Sequence, residues 1–176
     1  MARYILTGTP GAGKTALLRL LETRGHAVVE EAATDVIALM DAQGVAEHWL
    51  APDFIDLIAA LQKQRQLAAG PDGFFDRSPI CTWALAQFAG REPSAALKAE
   101  VARIEADRVY ERRVFFVQNL GFVTPTAARR INYEDALRFE QIHLEAYRRF
   151  GYELILIPPG DLAGRADQVL ANTPFQ

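Results

Sequence analysis

Two hydrophobic rhythms alternate along the chain. Short apolar runs, partly β-branched or aromatic, occur at Tyr4 to Thr7, Ala27 to Val29, Gly73 to Phe75, Val114 to Val117 and Leu154 to Ile157. Their brevity and continuity predict five strands buried on both faces. Helical spacing governs the segments between and after them: Lys14 to Thr23, Val36 to Met40, Phe54 to Leu67, Ile80 to Phe88, Leu97 to Val109, Tyr133 to Phe150 and Leu162 to Leu170. Strands that alternate with helices predict an α/β architecture, a parallel sheet with helices on both faces.

Punctuation residues place several boundaries without reference to hydrophobicity. Ser78 followed by Pro79 is an N-cap with a first-turn proline. Asn132 is positioned to cap the helix that starts at Tyr133, and Glu134 and Asp135 set negative charge in its first turn, where the helix dipole favours it. Gly151 stops that helix, and Pro93 within Glu92 to Ser94 separates two others.

Composition narrows the class. With 176 residues, 50% hydrophobic and 23% charged, the chain is expected to form one globular domain over residues 1–176 and to need no disulfide or structural metal. A net charge of -3 gives no long-range field for nucleic acid or an anionic membrane, so any anion must be bound locally. Cys81 is the single cysteine, which excludes an internal disulfide framework. The amino terminus offers only Tyr4 to Leu6 as an apolar run, and the uncharged stretch Val114 to Ala128 is fifteen residues long with polar positions inside it. Neither suits a secretory signal or a membrane span, and a cytoplasmic location is expected.

One motif carries specific chemistry. Gly8, Thr9, Pro10, Gly11, Ala12, Gly13, Lys14 and Thr15 satisfy G-x-x-x-x-G-K-[ST] between a predicted strand and a predicted helix. The glycines let successive backbone N–H groups turn inward to cradle phosphate oxygens, and the following helix adds its positive pole. Lys14 reaches the β- and γ-phosphates, and the Thr15 hydroxyl is a ligand for Mg²⁺. A nucleoside triphosphate, with ATP and GTP not distinguished by the motif, and Mg²⁺ are therefore expected as cofactors.

Ligands of open parallel sheets bind beyond the carboxyl ends of the strands. Residues there are the next candidates. Asp76 follows Phe75 as an acid for Mg²⁺, and Arg77 after it cannot orient water as a carboxylate does, yet it can clamp a transferring phosphoryl group. Transfer to a hydroxyl acceptor is helped by a carboxylate that takes the proton, for which Glu31 is the first candidate and Glu30 the reserve; strand alternation leaves their register open. Arg129 and Arg130 follow the Thr124-Pro125-Thr126 turn and suggest a short lid near residues 121–132 that brings cations to the phosphates. Glu140 and His143 alone do not make a metal site, and Cys81, Trp83 and Phe88 read as core or pocket wall.

The loop Gly8 to Thr15, the Glu30-Glu31-Ala32-Ala33 run, Phe74 to Pro79 and the stretch Glu140 to Leu154 together resemble the small P-loop ATPase/kinase-like family labelled AAA domain, which includes the nicotinamide-riboside kinase domain of NadR. The resemblance spans nearly the whole chain. It implies a three-layer P-loop NTPase fold of nucleoside/nucleotide-kinase type with sheet order 2-3-1-4-5, and an adenine pocket near Pro158 to Arg165. The chain also resembles deoxynucleoside kinases, which implies Glu31 as base and Asp76 and Arg77 near the acceptor. ATP- and Mg²⁺-dependent phosphoryl transfer to a small, nucleoside-like hydroxyl acceptor is the function expected. The alternatives are a regulatory ATP-binding or ATP-hydrolysing switch acting on a protein partner, and a nucleotide-binding protein without turnover. Oligomeric state is not legible in the sequence.

Overall fold

The computed structural model describes residues 2–8, 11–119 and 133–175. The five expected strands form as β1 (Arg3–Thr7), β2 (Val28–Val29), β3 (Gly73–Asp76), β4 (Arg113–Val117) and β5 (Glu153–Ile157). All pair in parallel in the order β2-β3-β1-β4-β5. Among the described residues seven α-helices connect and follow them: α1 (Lys14–Thr23), α2 (Ala33–Ala42), α3 (Phe54–Ala68), α4 (Pro79–Phe88), α5 (Ala95–Ala106), α6 (Tyr133–Arg149) and α7 (Leu162–Ala171). This is the sheet order that the family resemblance implies.

Side-chain alternation along the central strands builds two cores, one on each face of the sheet. Tyr4 and Leu6 of β1, Phe74 of β3, Phe115 and Val117 of β4 and Ile157 of β5 pack with Leu17, Leu18 and Leu21 of α1 and Ala166 and Val169 of α7. On the opposite face Ile5, Phe75 and Val114 pack with residues of α2 to α6, among them Val36, Ile58, Ile80, Leu97 and Tyr147. The sheet is thus the middle of three layers. Its central strand β1 is buried along its whole length, as continuous apolar runs require.

The local signals at α4 and α6 act as read. Ser78 caps α4, its Oγ accepting from the Ile80 N–H, with Pro79 in the first turn. Glu134 and Asp135 occupy the first turn of α6, and Gly151 turns the chain after it with a φ of 74°. Ser94 caps α5 just past Pro93. Asn132 lies outside the described residues.

Strand β2 ends at Val29 as expected, which leaves Glu30 and Glu31 outside the sheet, whereas other boundaries differ from the expectation. Helix α2 starts at Ala33, three residues before the first apolar anchor Val36, because its first turn is solvent-facing and carries no hydrophobic period. A 3₁₀ turn at His48–Leu50 stands where no element was expected, and α5 stops at Ala106 instead of Val109.

Candidate functional site

The carboxyl ends of β1, β2 and β3 meet at one edge of the sheet, and the site grows from the turn after β1. Gly8 has a φ of 136°, and a Cβ there would sit 2.2 Å from the Val117 carbonyl oxygen at the end of β4. Only glycine lets the two strands approach so closely before the loop departs. Thr9 and Pro10 lie outside the described residues. Gly13 then takes the left-handed conformation, φ 81°, in the cap position of α1, and its carbonyl accepts from Leu17 N–H at 3.1 Å. The N–H groups of the first turn have no intrahelical acceptors. They are oriented, with the positive pole of α1, to receive an anion.

Lys14 opens α1 and is 7% exposed. Burial, reinforced by the charge of Arg77, pulls its ammonium down to about 8, while Asp76 and Glu31 act in the opposite direction. Asp76 ends β3 opposite Leu6 of β1 and is 6% exposed. The chain then turns sharply: Arg77 has a φ of 72°, unusual for a residue with a side chain, and its N–H bonds the Leu6 carbonyl at 2.9 Å. That turn carries the guanidinium to Glu31, whose Oε1 accepts from Arg77 Nε.

The two glutamates separate. Glu30 is drawn outward to Arg19 of α1, whereas Glu31 faces Arg77. Arg65 of α3 fixes this division by donating from Nη1 to the Glu31 carbonyl at 2.7 Å and the Glu30 carbonyl at 3.1 Å, while Nη2 pairs with Asp35. Thr34 Oγ1 donates to Glu31 Oε2 at 2.9 Å. Burial alone would raise the Glu31 carboxyl, but Arg77, Lys14 and the Thr34 hydrogen bond outweigh it and hold the group at about 2. Burial likewise disfavours the Arg77 charge, and Glu31 more than restores it. The pair is ionised throughout the neutral range.

Behind Arg77 stands a face of α6 built at helical spacing by Phe139, His143 and Tyr147, all buried. His143 Nδ1 lies 3.0 Å from the Phe139 carbonyl, which can only accept, so the proton sits on Nδ1 and the Nε2 lone pair faces Arg77 Nη1 at 3.4 Å. Burial, then the neighbouring guanidinium, pushes the ring down to about 3. It is neutral. Tyr147 OH contacts Ser78 Oγ at 2.8 Å and Cys81 Sγ at 3.0 Å, and the thiol in turn meets Thr7 Oγ1 at 3.0 Å. This chain of small polar groups ties the end of β1 to the start of α4 and to α6.

The structure therefore gathers Lys14, Glu31, Asp76 and Arg77 into one electrostatic cluster. Thr15 is exposed in the first turn of α1. Arg129, Arg130 and the segment expected to form a lid lie outside the described residues. No group of three or more His, Cys, Asp or Glu side chains suited to a metal occurs among the described residues. A Mg²⁺ ion that takes most of its oxygens from water and phosphate needs fewer protein ligands, and the Thr15 hydroxyl and the Asp76 carboxylate are hard oxygen donors of the kind it accepts. His143, Tyr147 and Arg65 were not singled out as site residues by sequence reasoning. From the sequence His143 is weighed only with Glu140, and nothing local links it to Arg77.

Residues 3–165 match the family model described as AAA domain. The chain belongs to the AAA domain family. Among solved structures, this AAA domain is similar to NadR protein in complex with NR, at TM-score 0.69 and 17% identity, over 99% of this chain and 51% of that one. It is similar also to NadR protein in complex with NAD and AMP-PNP, at TM-score 0.70 and 16% identity, over 99% of this chain and 50% of the other. The AAA domain thus spans about half the length of these NadR chains. Deoxyadenosine kinase from M. mycoides with bound dATP aligns at TM-score 0.59 and 10% identity, over 97% of this chain and 98% of the kinase. At these identities the likeness is one of fold alone. Comparison with curated protein sequences finds no significant match. No helix among the described residues is long and apolar enough to cross a membrane.

Proposed function

We propose that this AAA domain is a kinase that transfers the γ-phosphoryl group of ATP to a hydroxyl of a small, nucleoside-like molecule. The observation that carries this reading is the arrangement at the ends of β2 and β3. There an ionised carboxylate, Glu31, is held beside Arg77 and the loop lysine Lys14. Many hydrolases of this fold place a carboxylate after the strand-end acid to orient water, whereas an arginine follows Asp76 here and the ionised carboxylate is Glu31, paired with that arginine and suited to take a proton from an acceptor hydroxyl.

In this reading the backbone of Gly8 to Thr15 cradles the triphosphate, and Lys14 neutralises charge on the β- and γ-oxygens. Thr15 and Asp76 would hold Mg²⁺, which when bound supplies positive charge to the same oxygens. Glu31 accepts a hydrogen bond from the acceptor hydroxyl and so aims its oxygen at the γ-phosphorus. The new O–P bond forms as the bond to the bridging oxygen breaks, ADP departs, and the hydroxyl proton passes to the carboxylate. A carboxylate held as low as Glu31 is a weak base. It is adequate here because the loose transition state of phosphoryl transfer keeps the proton on the nucleophile until late, so orientation counts for more than basicity. Arg77, released in part from Glu31 by the incoming acceptor, turns toward the transferring group. Arg129 and Arg130 belong to this proposal as cations closing over the phosphates, and Pro158 to Arg165 as the adenine side of the site.

The experiment is an ADP-release assay over a panel of nucleosides, sugars and vitamins. At least one hydroxylated compound is expected to raise ADP release well above the rate with water alone. Failure of every compound, with slow acceptor-independent hydrolysis remaining, would replace the kinase with a nucleotide-driven switch acting on a protein partner. Lys14→Ala should abolish nucleotide-dependent stabilisation while the domain stays folded, and unchanged nucleotide affinity in that variant would remove the phosphate site itself.

A further inference from the structure

Helix α7 holds a charge for which no counter-charge stands among the described residues. Arg165, in the first turns of that helix, is 4% exposed. No described acidic side chain pairs with it, and residues 120–132 contain no Asp or Glu that could do so. Its Nη2 donates to the Ala12 carbonyl oxygen of the phosphate loop at 3.0 Å, a contact 153 residues apart in sequence, and its Nε is buried with no acceptor among the described residues. Burial alone displaces its pKa, downward. A guanidinium withdrawn from water without a carboxylate is costly, and proteins seldom keep one unless something else compensates it.

The geometry of the contact indicates what compensates. A trans peptide sends its C=O and its N–H in opposite directions. With the Ala12 oxygen drawn toward α7, the N–H of Gly13 in the same peptide unit is turned to the other side, into the concavity that Lys14 and the start of α1 face. Ala12 itself is fully buried with Arg165 in place, so the guanidinium and not bulk water faces that oxygen.

We propose that Arg165 is a positioning residue for the nucleotide phosphates: it orients the Ala12–Gly13 peptide so that its N–H points into the cradle, and its buried charge finds its counter-charge in the bound polyphosphate. This rests on the nucleotide-binding reading above. Without ligand the side chain costs stability; with ligand it recovers that cost through a single intervening peptide, in a region of low dielectric where charge acts strongly.

The test measures two quantities on the parent, Arg165→Met and Arg165→Lys proteins. One is thermal stability without ligand; the other is the affinity for ADP and for AMP-PNP with Mg²⁺, by titration calorimetry. Arg165→Met is expected to be at least as stable as the parent without ligand, because it removes an uncompensated buried charge, yet to bind nucleotide about tenfold or more weakly. Arg165→Lys, which restores charge without the planar fork, should recover part of that affinity. A residue serving only to pack α7 would behave the other way: ligand-free stability would fall and affinity would hold, which would overturn the proposal. If Arg165→Met does not fold, Arg165→Lys decides alone: weakened affinity at parental stability supports the proposal, and parental affinity overturns it. A parent that binds neither nucleotide would overturn the nucleotide reading and this inference together, whereas equal binding by parent and variants overturns only the inference.

Discussion

Substituting Glu31 by Gln separates what that carboxylate does for the fold from what it does for the reaction. The change keeps the size of the side chain and removes the charge facing Arg77. Taking one partner from a buried ion pair costs about 3–5 kcal/mol, because the other charge is left stranded. Here the figure is smaller: the Glu31 side chain is 25% exposed, so water reaches the gap, and Arg77, itself 10% exposed, keeps its contact with His143. A stability loss of about 2 kcal/mol is expected. A purely structural Glu31 would show that loss alone. If the carboxylate also aims the acceptor hydroxyl and receives its proton, turnover per folded molecule falls by about 10²–10⁴. Urea denaturation reads the first quantity, and steady-state ADP release at saturating acceptor, normalised to folded protein, reads the second. The double variant Glu31→Gln, Arg77→Met sharpens the comparison, since removing the stranded charge should restore most of the stability and none of the turnover. Turnover of Glu31→Gln within about threefold of the parent would refute the assignment and leave Glu31 as no more than the counter-ion of Arg77.

The remaining predictions concern the same neighbourhood. Folding excludes a proton from His143, held at about 3 against an ordinary 6.5, so between those values the unfolded chain binds more protons and stability declines as pH falls, by up to about 1.4 kcal/mol per pH unit. Glu31, at about 2 against 4.5, is ionised in the folded state where the unfolded chain is protonated, and adds a second loss as pH falls from 4.5 toward 2. Denaturation curves across this range should show the decline above pH 4.5 flattened in His143→Gln and the lower decline flattened in Glu31→Gln; a parental slope in His143→Gln would mean that the buried ring is not the group excluded. Gly8→Ala should destabilise the protein by several kcal/mol, since its Cβ would lie 2.2 Å from the Val117 carbonyl oxygen at a φ that side chains avoid. Circular dichroism melting checks this, and a parental melting temperature would show that the β1 and β4 ends can separate freely.

What was legible in the chain follows from how local each determinant is. The phosphate loop is specified by contiguous positions, and the strand before it and helix after it formed where the hydrophobic rhythm changed from runs to helical spacing. Asp76 and Arg77 were legible for a similar reason, since the end of a buried run marks the edge of the sheet where ligands meet it. The Glu30 and Glu31 ambiguity was of another kind. Alternation settles side-chain direction only inside a strand, and β2 stops at Val29; the choice falls instead to Arg19 on α1, Arg65 on α3 and Arg77 after β3. Partners so distant in sequence leave no trace near residue 31. The same holds for His143, whose relation to Arg77 spans 66 positions. Arg165 is more hidden still, an ordinary helical arginine until α7 is packed against the loop that it holds. The division follows from distance along the chain: the loop glycines and Lys14 are contiguous, whereas Glu31, Arg65, Arg77 and His143 come from segments after β2, in α3, after β3 and in α6, and only folding brings them together. If the proposed kinase reading holds, acceptor choice rests on the residues for which a contiguous reading is least informative, and substitutions at Arg65 and His143 are expected to redirect it more readily than substitutions inside the loop, measured as changed ratios of ADP release across the acceptor panel.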